Sequence, residues 1–208
     1  IGTDEDTPDS ELEIAIVTSP SNGDLAPTRI LDTYTYTPDL NYFGADTFTY
    51  RVFDTVGLSD TATVLISVSP VNDAPMALDD SYSTPEDIAL TISALGVLSN
   101  DSDVEGSALT AILEGDVSHG SLVLNSDGSF SYTPDPGYEG VDLFFYRAYD
   151  GEDYSSAASV TITVTEINDP PVAEDISVTL SEDGSASITL IGTDEDTPDS
   201  ELEIAIVT

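Results

Sequence analysis

The chain has 208 residues, no cysteine, and 41 Asp and Glu against 3 basic residues, for a formal net charge of −38. Such a surface repels phosphate, which excludes nucleic acid and an anionic membrane face as partners; disulfide stapling is excluded too, and no apolar run approaches the ~18 residues of a membrane span. About a quarter of the residues are Leu, Ile, Val or Phe, above the ~20% below which disorder is expected, and the length suits about two domains.

Period-2 alternation dominates, with no convincing helix. In chain order, strands are expected at 47–53 and 61–69, then at 76–83, 87–92 and 107–114. Ser121–Leu124 and Ser129–Tyr132 flank Asn125-Ser126-Asp127-Gly128, a hairpin signal. Asp142–Tyr149 is aromatic-rich, as strands favour. Residues 156–165 alternate apolar side chains with Ser and Thr. Two further strands are expected at 173–180 and 186–191. About seven strands between turn signals fit an antiparallel β-sandwich.

The chain repeats itself. Residues 191–208 are identical to residues 1–18. A diverged copy lies between them: Val71-Asn72-Asp73-Ala74-Pro75 recurs 96 residues later as Ile167-Asn168-Asp169-Pro170-Pro171. Thr37-Pro38-Asp39, Gly44-Ala45-Asp46 and Phe53-Asp54 recur at the same offset. The domain reading is a partial module at 1–72 lacking its first strands, a complete module at 73–168, and the start of a third at 169–208. Neither end reads as a natural terminus, so the chain is expected to be a slice of a longer array.

The acids cluster in loops. Asn100-Asp101-Ser102-Asp103-Val104-Glu105 has counterparts in Asp4-Glu5-Asp6 and Asp194-Glu195-Asp196. Neighbouring carboxylates repel unless a cation sits between them. Oxygen ligands without Cys or nearby His select Ca²⁺ over zinc or copper. The alternative is a turn in which Asp bonds its own backbone. Other acids recur at module ends: Asn72-Asp73, Asn168-Asp169, Glu86, Glu182, Asp54 and Asp150.

The order Pro-Glu-Asp, Asp-x-Asp, a strand ending in aromatic-Asp, then Val/Ile-Asn-Asp-x-Pro resembles the cadherin repeat. It is more closely similar to the cadherin-like tandem repeats of giant bacterial surface proteins and adhesins (VCBS and related types). The resemblance covers essentially the whole chain. It implies an all-β fold of tandem cadherin-like, immunoglobulin-like antiparallel sandwiches joined by Ca²⁺-binding linkers, and a location outside the cell on a bacterial surface. Carried over by motif, the first junction would use Asn72 and Asp73 with Asp101, Asp103 and Asp150, plus Asp39 or its neighbour Asn41. The second would use Asn168 and Asp169 with Asp194 and Asp196, plus Glu86 and Asp135. The acidic pair of the family's module base is incomplete here, because Gly137 follows Asp135 and Asn41 follows Asp39. That implies fewer ions per junction; alternatively Asp46 and Asp142 substitute.

No nucleophile elbow, P-loop or zinc motif stands out, and no enzyme is expected. His119 is the single histidine, and its first-module counterpart is Asn22, so it reads as structural. Arg51 and Arg147 read as strand-face ion-pair partners, and the strand aromatics as core. The first functional expectation is a structural extender stiffened by Ca²⁺, whose partners are neighbouring modules of the same chain. The second is a module that binds polysaccharide or like repeats. Because the first module lacks its first two strands and strands of that type occur at 172–191, one chain's C-terminal segment is expected to complete another chain's N-terminal module.

Overall fold

The structure is a computed structural model describing residues 12–30, 32–194, 196–198 and 201–205. Asp4-Glu5-Asp6 and Glu195 lie outside the described residues. The chain divides into two compact units, Ile1–Asp73 and Ala74–Thr208.

The first unit holds β1 (Glu13–Thr18), β2 (Gly23–Pro27), β3 (Tyr34–Pro38), β4 (Gly44–Phe53) and β5 (Ser59–Val68). They form a three-stranded sheet in the order β1-β4-β5 and a two-stranded sheet of β2 and β3. All pairings in it are antiparallel.

The second unit begins with β6 (Asp80–Pro85), β7 (Leu90–Ile92) and a short 3-10 turn, Gly96–Leu98. It continues with β8 (Thr110–Gly115), β9 (Gly120–Leu124), β10 (Phe130–Pro134), β11 (Gly140–Tyr149) and β12 (Ala158–Thr165). One sheet runs β6-β12-β11-β8 and the other β7-β10-β9. The alternation read from the sequence becomes a sandwich: Val160, Ile162 and Val164 of β12 and Phe144, Tyr146 and Ala148 of β11 point inward. Phe130 and Tyr132 of β10 meet them from the other sheet, with Val97 and Leu98 sealing one end. Phe130 packs edge-on to Phe144 at 5.4 Å and to Tyr82 at 5.1 Å. One pairing departs from the antiparallel expectation. β6 lies parallel to β12, with Asp80 opposite Val160 and Thr84 opposite Val164, because it runs in the same direction as the strand it covers.

The 125–128 hairpin turn forms as expected. Gly128 takes φ 81°, a left-handed conformation open to glycine. Its carbonyl receives the Val97 amide at 3.1 Å, which docks the 3-10 turn on the hairpin.

The expected strands at 173–180 and 186–191 do not form. Only Val172–Ala173 (β13) and Gly192–Thr193 (β14) pair there. The segment alternates correctly, but a strand needs a neighbour to take its backbone hydrogen bonds, and among the described residues the pairing extends past β13 and β14 only by the Glu174 amide donating to Ile191 O at 3.0 Å.

Candidate functional site

Most of the site candidates belong to the second unit, while Asp39, Asn72 and Asp73 belong to the first. At the entry end, the chain after the linker pairs directly with the acidic loop: the Met76 amide donates to Ser102 O at 2.8 Å and the Ser102 amide to Met76 O at 3.0 Å. This holds Asp101 and Asp103 against the incoming chain. The first residue of β8, Thr110, faces Tyr149, the last of β11, so the loop before β8 and Asp150 after β11 lie at one end of the sheet.

Asp101 turns inward. Its Oδ1 accepts the Leu78 amide at 2.9 Å, and both oxygens lie 3.0 Å from the Tyr146 hydroxyl. That hydroxyl also reaches Val97 O at 2.7 Å, Leu78 O at 3.2 Å and Asp80 Oδ2 at 3.5 Å. It has one proton to donate and five oxygens around it. The excess of acceptors is electrostatically expensive. Burial, reinforced by the Asp101 charge, pushes Asp80 up to about 6, and burial also raises Asp101.

Asp103 caps its own loop, with Oδ1 accepting the Ser107 amide at 2.8 Å. Its Oδ2 is buried and has no hydrogen-bond donor. A buried carboxylate oxygen left without a partner is costly, and a hard cation is the chemistry that would satisfy it. Asp150 closes a turn, its Oδ1 taking the Glu152 and Asp153 amides at 2.7 Å each. Asp54 does the same with Val56 and Leu58. The self-bonding turn is thus the observed geometry for Asp150 and Asp54.

At the exit end, Glu86 is buried. Its backbone amide donates to Thr165 O at 2.9 Å, and its Oε1 accepts the Ile167 amide at 2.6 Å. The glutamate therefore fixes the outgoing linker. Asn168 bonds the Asp169 carbonyl at 3.1 Å. The Asp169 amide donates to Asp196 Oδ2 at 2.5 Å, while Asp194 Oδ1 accepts the Asp196 and Thr197 amides at 3.0 and 2.7 Å. Asp169 and Asp194 line a recess of about 440 Å³ with Pro170, Val172 and Thr193. Asp169, Asp194 and Asp196 are thus linked through backbone amides, without their three carboxylates converging on one point.

Asp39 and Asp135 occupy matched turns. The amide of each donates to the chain preceding β2 or β9, Asn22 O at 3.0 Å and His119 O at 3.1 Å. The position two residues later has φ 60° at Asn41 and 65° at Gly137. It is a left-handed turn position, which accounts for Asn and Gly where the family's second acid would stand. Asn72 and Asp73 close the first unit. Among the described residues, no three His, Cys, Asp or Glu side chains converge as a metal-holding group.

Two acids had a role the sequence reading did not reach. Asp142 is 3% exposed. It accepts the amides of Ser118, His119 and Leu143 at 2.8–2.9 Å and the Tyr132 hydroxyl at 3.1 Å. Asp46 repeats the arrangement with Ser21, Asn22, Thr47 and Tyr36. Burial pushes each carboxyl up, but the amide donors outweigh it and both pKa values are lowered. These carboxylates already have their donors and serve as anchors inside each unit, not as substitute base ligands. A signal existed: Tyr stands ten residues before the Asp in both modules.

His119 stacks on Tyr138 at 4.3 Å, a packing role. Arg147 pairs with Glu114 across the strands. Arg51 departs from that expectation: its Nε donates to Thr61 at 3.2 Å, and the guanidinium lies 6.0 Å over the Phe53 ring.

Residues 72–166 match a family described as the bacterial cadherin-like domain, and residues 1–67 match the bacterial Ig domain. The chain is 29% identical over 201 residues to integrin beta-like protein B of Dictyostelium discoideum. That match takes in 82% of the chain and 10% of the relative, so the chain spans about a tenth of the curated relatives' length. Among solved structures it is similar to human mucin-like protocadherin EC1-2 (TM-score 0.52, 16% identity, 77% of this chain and 87% of that one). It is also similar to the protocadherin GammaB4 extracellular domain (TM-score 0.59, 16% identity, 89% of this chain and 34% of that one). At such identities the likeness concerns the fold.

Proposed function

We propose that this chain, a tandem of cadherin-like and Ig-like repeats of the bacterial surface-protein type, is a structural extender of a large cell-surface adhesin, stiffened by Ca²⁺ at its module junctions. The observation that carries the reading is the buried, donor-less Oδ2 of Asp103 in an acidic loop stapled to the incoming chain at Met76. The donor chemistry fits Ca²⁺, since every candidate ligand is an oxygen and the chain has no cysteine.

At the exit junction Asn168, Asp169, Asp194 and Asp196 would hold the ion, with Glu86 and Asp135 from the module below. The same residue types recur in sequence around the first linker: Asn72, Asp73, Asp101, Asp103, Asp150 and Asp39. The ion would supply positive charge where carboxylates otherwise repel. The protein's part is to hold the linkers in reach: Glu86 fixes the Ile167 amide, and the Met76–Ser102 pairing fixes the entry. Location outside the cell follows on this reading, where Ca²⁺ near millimolar fills weak sites. A spacing role agrees with Phe130, Tyr132, Phe144 and Tyr146 of the second unit lying in its core and with two units that repeat one strand set.

Isothermal titration of the chain with CaCl₂ tests the assignment. Saturable binding, weakened at least tenfold by Asp103→Ala, is expected. Unchanged affinity in that variant would remove Asp103 from the site.

A further inference from the structure

A sandwich strand with solvent on one side alternates apolar and polar residues. β11 does not. Along Val141-Asp142-Leu143-Phe144-Phe145-Tyr146 the inward set, Asp142, Phe144 and Tyr146, is buried. The outward set is Val141, Leu143 and Phe145, exposed by 56%, 41% and 41%. Such a run has the composition of a strand covered on both faces. Ile112 of β8, opposite Arg147, adds a fourth apolar side chain at 42%. The fold does not demand this stripe: 96 residues earlier, β4 carries Ala45, Thr47 and Thr49 at the same three positions. An apolar patch of this kind on a solvent face marks an interaction surface.

The stripe is also free of charge, although 41 of the 208 residues are Asp or Glu. Its β12 neighbours are Ser159, Thr161 and Thr163, directly opposite Phe145, Leu143 and Val141. Beyond them on β6, Ser81 and Ser83 stand opposite Thr161 and Thr163. Charges stand only at the two ends, and they are opposite in sign. Glu139 is exposed just ahead of β11, and Arg147 follows Phe145 on the same face, beside Glu114. Along the strand the order is acid, three apolar side chains, base, with Leu143 at the centre. Turned end for end, this row is complementary to itself.

The charge pattern selects the occupant. A basic partner would be drawn to the acidic loops, not to an uncharged stripe. A second acidic chain finds in the stripe the stretch of sheet where no carboxylates meet. We propose that the outer face of β11 is a docking surface for the same face of a second copy of this chain, with the two β11 strands antiparallel about a two-fold axis at Leu143. Leu143 then lies over the second copy's Leu143, Val141 over its Phe145 and Arg147 over its Glu139. The parallel alternative sets Arg147 over Arg147 and Glu139 over Glu139, so charge chooses the antiparallel one. Sheets packed face to face keep their strands within about 30° of alignment, which this arrangement satisfies. The contact is isologous and closes at a dimer. Four half-exposed apolar side chains per copy fall short of the ~1,200 Å² of a standard interface, so the dimer is a weak one. No candidate Ca²⁺ ligand takes part, and the dimer forms in EDTA.

The test begins with Thr161→Cys in the full chain, which has no other cysteine. Thr161 stands opposite Leu143, so it meets itself across the axis while the stripe stays intact. In EDTA, and at high salt to screen the repulsion of two acidic chains, a short bismaleimide spans the ~10 Å between packed sheets. It should link this variant into dimers at least tenfold faster than Leu65→Cys, the equivalent position of β5, which is 80% exposed. Sedimentation equilibrium of the unmodified chain should show monomer and dimer. Leu143→Asp and Arg147→Glu should each weaken the dimer at least tenfold, and adding Glu139→Arg to Arg147→Glu should restore it. These side chains are solvent-accessible, so the fold should persist in every variant. Equal linking rates, a strict monomer at millimolar concentration, a dimer that survives Leu143→Asp, or growth beyond a dimer would each overturn the proposal. A double variant that stays monomeric would overturn the antiparallel arrangement.

Discussion

Replacing Asp142 with Ala is the sharpest test of how each unit is held together. The carboxylate is 3% exposed and accepts three backbone amides at 2.8–2.9 Å. The Tyr132 hydroxyl keeps an alternative acceptor in His119 O at 2.9 Å; the amides of Ser118 and His119 do not keep the one they had. Hydrogen bonds to a charged group contribute about 1.5–3 kcal/mol each, and an unsatisfied buried donor costs about 1–3 kcal/mol. Some water will reach the vacated space, so the three amides together should cost about 4 kcal/mol. Asp142→Asn keeps the volume and one acceptor but aims an NH₂ group at donors, and should cost about 2 kcal/mol. Urea unfolding, read by hydrogen exchange of the β11 and β12 amides, reports the second unit by itself. The pH dependence has a fixed sign. The folded pKa lies below the ordinary 3.8, so the contribution is complete above that value and is lost as pH falls through the folded one. A loss under 1 kcal/mol in Asp142→Ala would refute the anchor role.

Three other outcomes are expected. Gly128→Ala should cost at least 2 kcal/mol by thermal or urea unfolding, because φ 81° is strained for alanine and its Cβ would lie 2.2 Å from Leu95 O. Glu86→Ala strands the Ile167 amide and should cost about 1–3 kcal/mol, with faster hydrogen exchange at Ile167 than at the β11 amides. Arg147→Ala, which removes an exposed ion pair, should leave the melting temperature unchanged at high salt.

The strands and hairpin of the second unit were legible because alternation and turn chemistry there agree with a real partner on each side. The same alternation at 173–180 misled, since periodicity reports which face is apolar and not whether a neighbour is present. Val64 and Val160 stand at equivalent positions of β5 and β12, yet Val160 is buried in a core that β6, β7 and the 3-10 turn help to close, and Val64 is partly exposed. Clustering of acids was visible, but their division of labour was not. Asp142 and Asp46 are separated from Ser118 and Ser21 by more than twenty residues, so their donors became apparent only once β9 and β11, or β2 and β4, were placed. Asp150 and Asp54 were read as acids at the module ends; that each closes a turn through its own Oδ1 was not legible in the sequence.

The central claim is that divalent cations at the junctions stiffen this acidic chain. Its most direct test is paired thermal unfolding and small-angle X-ray scattering of the 208-residue chain in millimolar CaCl₂ and after chelation with EDTA, at a concentration where it is monomeric. Calcium should raise the melting temperature and lengthen the maximum particle dimension, with both changes reversed by EDTA. If chelation moves neither quantity, the calcium-stiffened extender is contradicted.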